Sequence, residues 1–131
     1  MRATELIERE TTHAVIGAFF EVYNSLGFGF MEHVYALALE TELLERGNRV
    51  SRESSVPIYY KGKLLTTQRT DMIVDGSVVV EIKSTEVLPS MARRQAVNYL
   101  KATTLEVALL LHFGPEPKFY RVVQSKVGKR P

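Results

Sequence analysis

An α/β sandwich built on a mixed β-sheet is the fold class that this sequence predicts. Three observations predict it. The N-terminal part of the chain holds two stretches with helical periodicity. The middle then changes to short strand-like runs divided by turn signals. A third helical stretch finally separates two apolar runs of strand length, and a helical crossover brings the following strand in parallel with the preceding one.

Each element has its own warrant. From about Glu5 to Leu26 the apolar residues Val15, Phe19, Val22 and Leu26 recur at i, i+4, i+7 and i+11, one helical stripe. Gly27 is placed to stop that helix, because glycine accepts the left-handed backbone that follows a helix end. A second helix is predicted from about Met31 to Arg46, with Met31, Val34, Tyr35, Ala38 and Leu39 on one face and Gly47 at its end. Val50 to Glu53 and Val56 to Tyr60 are predicted strands, with Lys61-Gly62 as a turn. Thr70 to Val74 and Val78 to Lys83 form a predicted hairpin around Asp75-Gly76, a strong two-residue turn signal. A third helix is predicted from about Pro89 to Ala102, with proline in the first turn, where its missing N–H costs little. Val107 to Phe113 is a continuous apolar strand, Gly114-Pro115 breaks it, and Phe119 to Val123 returns as the last strand.

Composition narrows the functional classes. A length of 131 residues suits one domain, and 45% apolar residues can fill its core. The chain has no cysteine, which excludes disulfides, thiolate metal sites and cysteine nucleophiles. That composition fits a reducing compartment, and a cytoplasmic location is expected. No apolar run reaches the length of a membrane helix, so no membrane partner is expected, and the opening MRATELIERE lacks the apolar core of a signal peptide. The net charge of +2 is too small to announce a nucleic-acid partner by itself. The charge is uneven, however: the basic tail SKVGKRP, residues 125–131, has three cations and no acid and is expected to be flexible, and Arg93, Arg94 and Lys101 lie on the third predicted helix.

The hairpin RTDMIVDGSVVVEIKS carries the chemistry-bearing residues. Glu81 and Lys83 stand two apart on a strand and therefore share a face. Whether Asp71 joins them depends on register. A two-residue loop at Asp75-Gly76 sets Asp71 opposite Val80 and leaves Asp71 and Glu81 on opposite faces. A three-residue loop including Ser77, or one bulge, sets Asp71 opposite Glu81 with Cα atoms about 4.5–5.5 Å apart. Carboxylates that close repel unless a proton or a cation stands between them, and a hard cation such as Mg²⁺ takes oxygen ligands and retains waters for substrate phosphates. The sequence reading therefore predicts a one-residue offset in this hairpin. The plainer reading makes Asp71 and Glu81 partners of Lys83 and Arg69 in salt bridges at a strand end.

The stretch GFMEHVY, residues 29–35, adds a third acid at the start of the second helix. Glu32 there suits the helix dipole, which is its plain reading. With VIGAFFEVYNSLG before it, VPIYYKGK, the hairpin, QAVNYLK and ALLLHFG after it, the chain resembles the PD-(D/E)XK nuclease superfamily and, within it, the small family named for the motif GxxExxY, here Gly29, Glu32 and Tyr35. The resemblance implies a restriction-endonuclease-like αβββαβ core. It implies that Asp71 and Glu81 bind Mg²⁺, or Mn²⁺ in its place, with the Ile82 carbonyl as a further ligand. Lys83 would orient the attacking water and offset charge on the phosphate. Glu32 would reach the metal directly or through water, and Gln95 would support the site from the third helix. Arg93 and Arg94 are candidate substrate contacts, as is Tyr35, whose plainer reading is a core ring with its hydroxyl near Glu32. The proline that names the superfamily's first motif is absent, and Thr70 precedes Asp71.

Other residues have bland readings. Gln95 and Asn98 suit a buried polar pair, His112 a satisfied core histidine, and His33 the surface. Tyr59-Tyr60 and Phe119-Tyr120 offer rings for bases, although neighbouring aromatics on a strand commonly divide between the two faces. The functional expectation is a Mg²⁺-dependent nuclease acting on DNA or RNA. The alternative is a catalytically silent binding or oligomerisation module acting as an adaptor in a larger assembly. A domain this small has little surface left for substrate recognition, so a homodimer or a protein partner is expected.

Overall fold

The computed structural model describes residues 7–126. Its elements are α1 (Arg9–Leu26), α2 (Glu32–Glu45), β1 (Val50–Arg52), β2 (Ser55–Tyr60), β3 (Lys63–Arg69), β4 (Met72–Val74), β5 (Val78–Lys83), α3 (Ala92–Lys101), β6 (Val107–Phe113) and β7 (Pro117–Val123). Five strands form the main sheet in the order β1-β4-β5-β6-β7. Only β5 and β6 pair in parallel, across the α3 crossover; the other neighbours are antiparallel. This is the mixed sheet flanked by helices that the sequence predicts, and it is restriction-endonuclease-like.

Burial explains the layering. The strand β6 is buried along its whole length, as befits a central strand covered on both faces. One face of the sheet, including Val78, Val80 and Ile82, packs against Phe19 and Val22 of α1 and Leu39 and Leu43 of α2. The opposite face, including Val79, Ala108 and Val122, packs against Ala96, Tyr99 and Leu100 of α3. Three of the four stripe residues predicted for α1 are buried, and Leu26 packs at the margin. In α2 the buried face is Tyr35, Ala36, Leu39 and Leu43, while Met31 is 71% exposed just outside the helix.

Two hairpins differ from expectation in instructive ways. At Asp75-Gly76 both residues have positive φ, 54° and 66°, and Ser77 N–H donates to Val74 O at 3.0 Å. That is the two-residue turn that Asp-Gly favours. Val74 nevertheless pairs with Val78, so Ser77 is one extra residue in the strand. The predicted offset is present, and both forms considered for it describe the same turn. The second difference is β3, a strand that no apolar period announces, since every residue of it is exposed. It pairs with β2 in a separate two-stranded ribbon outside the main sheet. Of the basic tail, Lys126 is fastened through its N–H to Glu106 Oε2 at 2.9 Å and its Nζ to Leu100 O at 2.8 Å. Residues 127–131, with the rest of that expectation, lie outside the described residues, as do residues 1–6, Glu5 and Leu6 of the predicted first helix among them.

Candidate nuclease site

The register of β4 and β5 sets Met72 opposite Val80. Asp71, the next residue, lies beside Glu81, which shares its face of β5 with Val79 of the α3 layer. The bonds around these acids are short. Asp71 Oδ2 accepts Ile82 N–H at 2.6 Å, and Glu81 Oε1 accepts the Thr70 hydroxyl at 2.6 Å. Thr70 is itself buried, so the residue standing where the superfamily motif has proline supplies a hydroxyl to the second acid. Burial pushes the Glu81 carboxyl up to about 7; the Thr70 hydroxyl opposes this, the charge of Asp71 and its hydrogen bond to Glu81 add to it, and Lys83 opposes it. Glu81 therefore holds its proton up to about neutral pH. Among the described residues no salt bridge joins Asp71 or Glu81 to Lys83 or Arg69, and Arg69 pairs with Glu53 at 3.8 Å.

Lys83 shares the Glu81 face and pairs in register with His112 of β6. His112 is buried as expected, and its Nε2 lies 2.8 Å from Thr85 O and 3.1 Å from Thr85 Oγ1. That contact pins the chain just after Lys83. Glu32 reaches the same place from the other layer: Ser84 N–H donates to Glu32 Oε2 at 3.2 Å, and the Ser84 hydroxyl donates to Phe30 O. The start of α2 is thereby fastened to the C-terminal end of β5.

The motif Gly29–Tyr35 is explained by this fastening. Gly29 has φ of 112°, a conformation that side chains rarely adopt. Tyr35 is fully buried, its ring stacked on Phe113 with centroids 4.0 Å apart. Its hydroxyl donates to Gly27 O at 2.5 Å and accepts Phe30 N–H at 3.2 Å. The loop that presents Glu32 is thus held from inside the core. A ring without exposed surface cannot meet a substrate, so the expected substrate contact by Tyr35 gives way to positioning. Its hydroxyl meets main chain and not the Glu32 carboxylate.

Helix α3 divides its residues differently from expectation. Gln95 and Asn98 are both exposed, so they are not a buried polar pair. Arg93 and Arg94 are exposed as well, and the Arg93 guanidinium lies 5.0 Å over the Tyr120 ring. The residue the sequence reading missed is Tyr99. It is buried beside Glu81, whose charge adds to burial in pushing the phenol up to about 12, and its hydroxyl has no hydrogen-bond partner among the described residues. Two sequence signals point to it: it is the one phenol on the apolar face of α3, and it stands one helical turn after Gln95. Among the described residues, no three His, Asp or Glu side chains are gathered closely enough to hold a metal together; the facing pair is Asp71 and Glu81, and Glu32 stands off at Ser84.

The fold has a counterpart among solved structures. The solved structure of SSO0001 superposes with a TM-score of 0.55 at 22% sequence identity, covering 89% of this chain and 59% of that one. At that identity the likeness concerns the fold, and this chain spans less than two thirds of that protein's length. No curated protein sequence matches this chain. The sequence profile of the PD-(D/E)XK nuclease superfamily matches residues 9–122, from the first turn of α1 to the last strand. A match of that extent, over a fold of that kind, establishes the kinship: the chain belongs to the PD-(D/E)XK nuclease superfamily.

Proposed function

We propose that the protein hydrolyses phosphodiester bonds in nucleic acid with the help of a divalent cation held by Asp71 and Glu81. The observation that supports this reading is that Asp71 lies beside Glu81 at the end of the β4–β5 ladder, with Lys83 on the same face of β5 as Glu81. The donor set fits a hard cation. The Glu81 carboxyl is raised to about 7 beside Asp71, and a cation can take the place of its proton. The Ile82 N–H points at Asp71, and a strand residue's carbonyl lies on the same edge as its N–H, so Ile82 O is available on that side. When bound, Mg²⁺ or Mn²⁺ supplies positive charge at the phosphate and acidifies a bound water.

The chain's own residues have separate tasks in this reading. Lys83 brings a cation to the phosphate and lowers the proton affinity of Glu81. Tyr99 offers a buried donor with no other partner to an oxygen arriving beside Glu81. Glu32 stands past the end of β5 at Ser84, a third acid near the pair, and Gln95, Arg93 and Arg94 present an exposed polar edge on α3. We assign the chain within the superfamily to the GxxExxY family, supported by the distinct structural tasks of Gly29, Glu32 and Tyr35.

Calorimetric titration of Mn²⁺ and Mg²⁺ into wild type and Asp71→Ala, with cleavage assays on single- and double-stranded DNA and RNA, tests the proposal. Metal binding and cleavage that are both lost in Asp71→Ala support it. Cleavage that survives Asp71→Ala, or that proceeds undiminished in a chelator, overturns it.

A further inference from the structure

The ribbon of β2 and β3 is unusual for a domain of this size. Its two strands hydrogen-bond to each other and to no other strand among the described residues. Tyr59, Tyr60, Leu64 and Leu65 on it are 58 to 62% exposed. A two-stranded ribbon is marginal in water unless something covers it. Seven residues of β3 at roughly 3.3 Å each extend it to roughly 23 Å. Its base is fixed against the site: Thr70 N–H donates to Ser54 O, Glu53 N–H to Asp71 O, and Val56 packs in the cluster that holds Tyr99. The chain leaves β3 at Arg69 and reaches Asp71 two residues later.

Charge identifies the occupant. From Ser55 to Arg69 the ribbon has Lys61, Lys63 and Arg69, the last paired with Glu53 at its base, and no acid of its own. A second copy of the chain docking there by a two-fold would set these cations against themselves. Exposed rings beside lysines suit unpaired bases stacked along an anionic backbone. Tyr59 faces Leu64 and Tyr60 faces Lys63 across the ribbon, so each side offers one ring. We infer that the β2–β3 ribbon is a binding arm for single-stranded nucleic acid, which Tyr59 and Tyr60 grip by stacking and Lys61 and Lys63 by phosphate contact, leading the strand onto the acids at its base. The inference rests on the nuclease reading for the direction of the strand; the grip itself needs no metal.

The test is fluorescence anisotropy with a labelled single-stranded oligothymidylate in EDTA, across a salt series. The proteins are wild type, Tyr59→Ala/Tyr60→Ala, Lys61→Ala/Lys63→Ala, and Lys101→Ala as a remote control on exposed α3 surface. Wild type is expected to bind the oligonucleotide more tightly than its duplex. The double tyrosine variant weakens by about tenfold or more per ring engaged. The double lysine variant lowers the salt-dependence slope by about 1.4, and Lys101→Ala changes neither. Equal affinity in the tyrosine variant, no binding by wild type, a preference for duplex, or a wild-type dimer in sedimentation that the tyrosine variant dissolves would each overturn the inference. Cleavage by metal-loaded wild type is read separately: arm-dependent binding without any cleavage sinks the nuclease reading and leaves the arm standing.

Discussion

Replacing Glu81 by glutamine is expected to stabilise the protein in EDTA while removing a proposed cation ligand. The Glu81 carboxyl rises from its ordinary 4.5 to about 7, chiefly because burial disfavours its charge. A group whose folded value is raised contributes stability that is complete below the unfolded value and is lost as pH climbs through the folded one. At ~1.36 kcal/mol per pH unit, the rise from 4.5 to about 7 is roughly 3 kcal/mol, so metal-free wild type should lose that amount between about pH 4.5 and 7.5. Glutamine keeps the shape, accepts the Thr70 hydroxyl through its carbonyl, and donates an amide hydrogen to Asp71. It carries no charge to bury. Urea unfolding in EDTA at pH 5, 6, 7 and 8 measures the effect. Wild type should decline along this series from Glu81 alone, and Glu81→Gln should lack that part of the decline and exceed wild type by roughly 3 kcal/mol at pH 8. A glutamine variant less stable than wild type at pH 8, or equal pH slopes in the two proteins, would refute the reasoning.

Three further outcomes are expected. Tyr35→Phe keeps the ring on Phe113 but strands Gly27 O and Phe30 N–H, and should cost about 1–3 kcal/mol in urea unfolding while speeding amide exchange in the Glu32 loop. Asp75→Ala removes bonds accepted from Thr11, Asn48 and Arg49; although burial opposes it, these bonds hold the Asp75 carboxyl below its ordinary 3.8, so the roughly 2–4 kcal/mol they contribute should be present at neutral pH and fade as pH falls below about 4. Gly114→Ala would place a Cβ 2.7 Å from His112 Cε1, against a ring held at Thr85; a thermal melt should show a loss of about 1–3 kcal/mol, and the His112 ring signals should shift by NMR.

Legibility in the sequence followed burial. The strands Val78–Lys83 and Val107–Phe113 match their predicted limits because their apolar runs coincide with positions covered on both faces. The hairpin offset was legible too, since two facing acids and a lysine on one face make sense only in that register. The ribbon strand β3 was not, because exposed residues leave no period to read. Both tyrosines of β2 are exposed where one was expected to turn inward, for the same reason: no layer covers the ribbon's tip. In the site, Tyr35 and Tyr99 exchanged parts. A motif tyrosine proved to be an internal strut, and a tyrosine outside the motif proved to stand beside the acids. The deciding quantity is whether a hydroxyl finds a main-chain partner, and no one-dimensional pattern shows that.

The fastening of Glu32 to Ser84 bears on the order in which the site is assembled. Asp71 and the Ile82 N–H it accepts are 11 residues apart, within one hairpin. Glu32 and Ser84 are 52 apart, and meet only after two layers have closed over the sheet. Closing the longer loop costs roughly 1.4 kcal/mol more in chain entropy. A partly folded chain can therefore bring Asp71 to the Ile82 N–H early and still lack the contact between Glu32 and Ser84, which forms only in a molecule whose helices have docked.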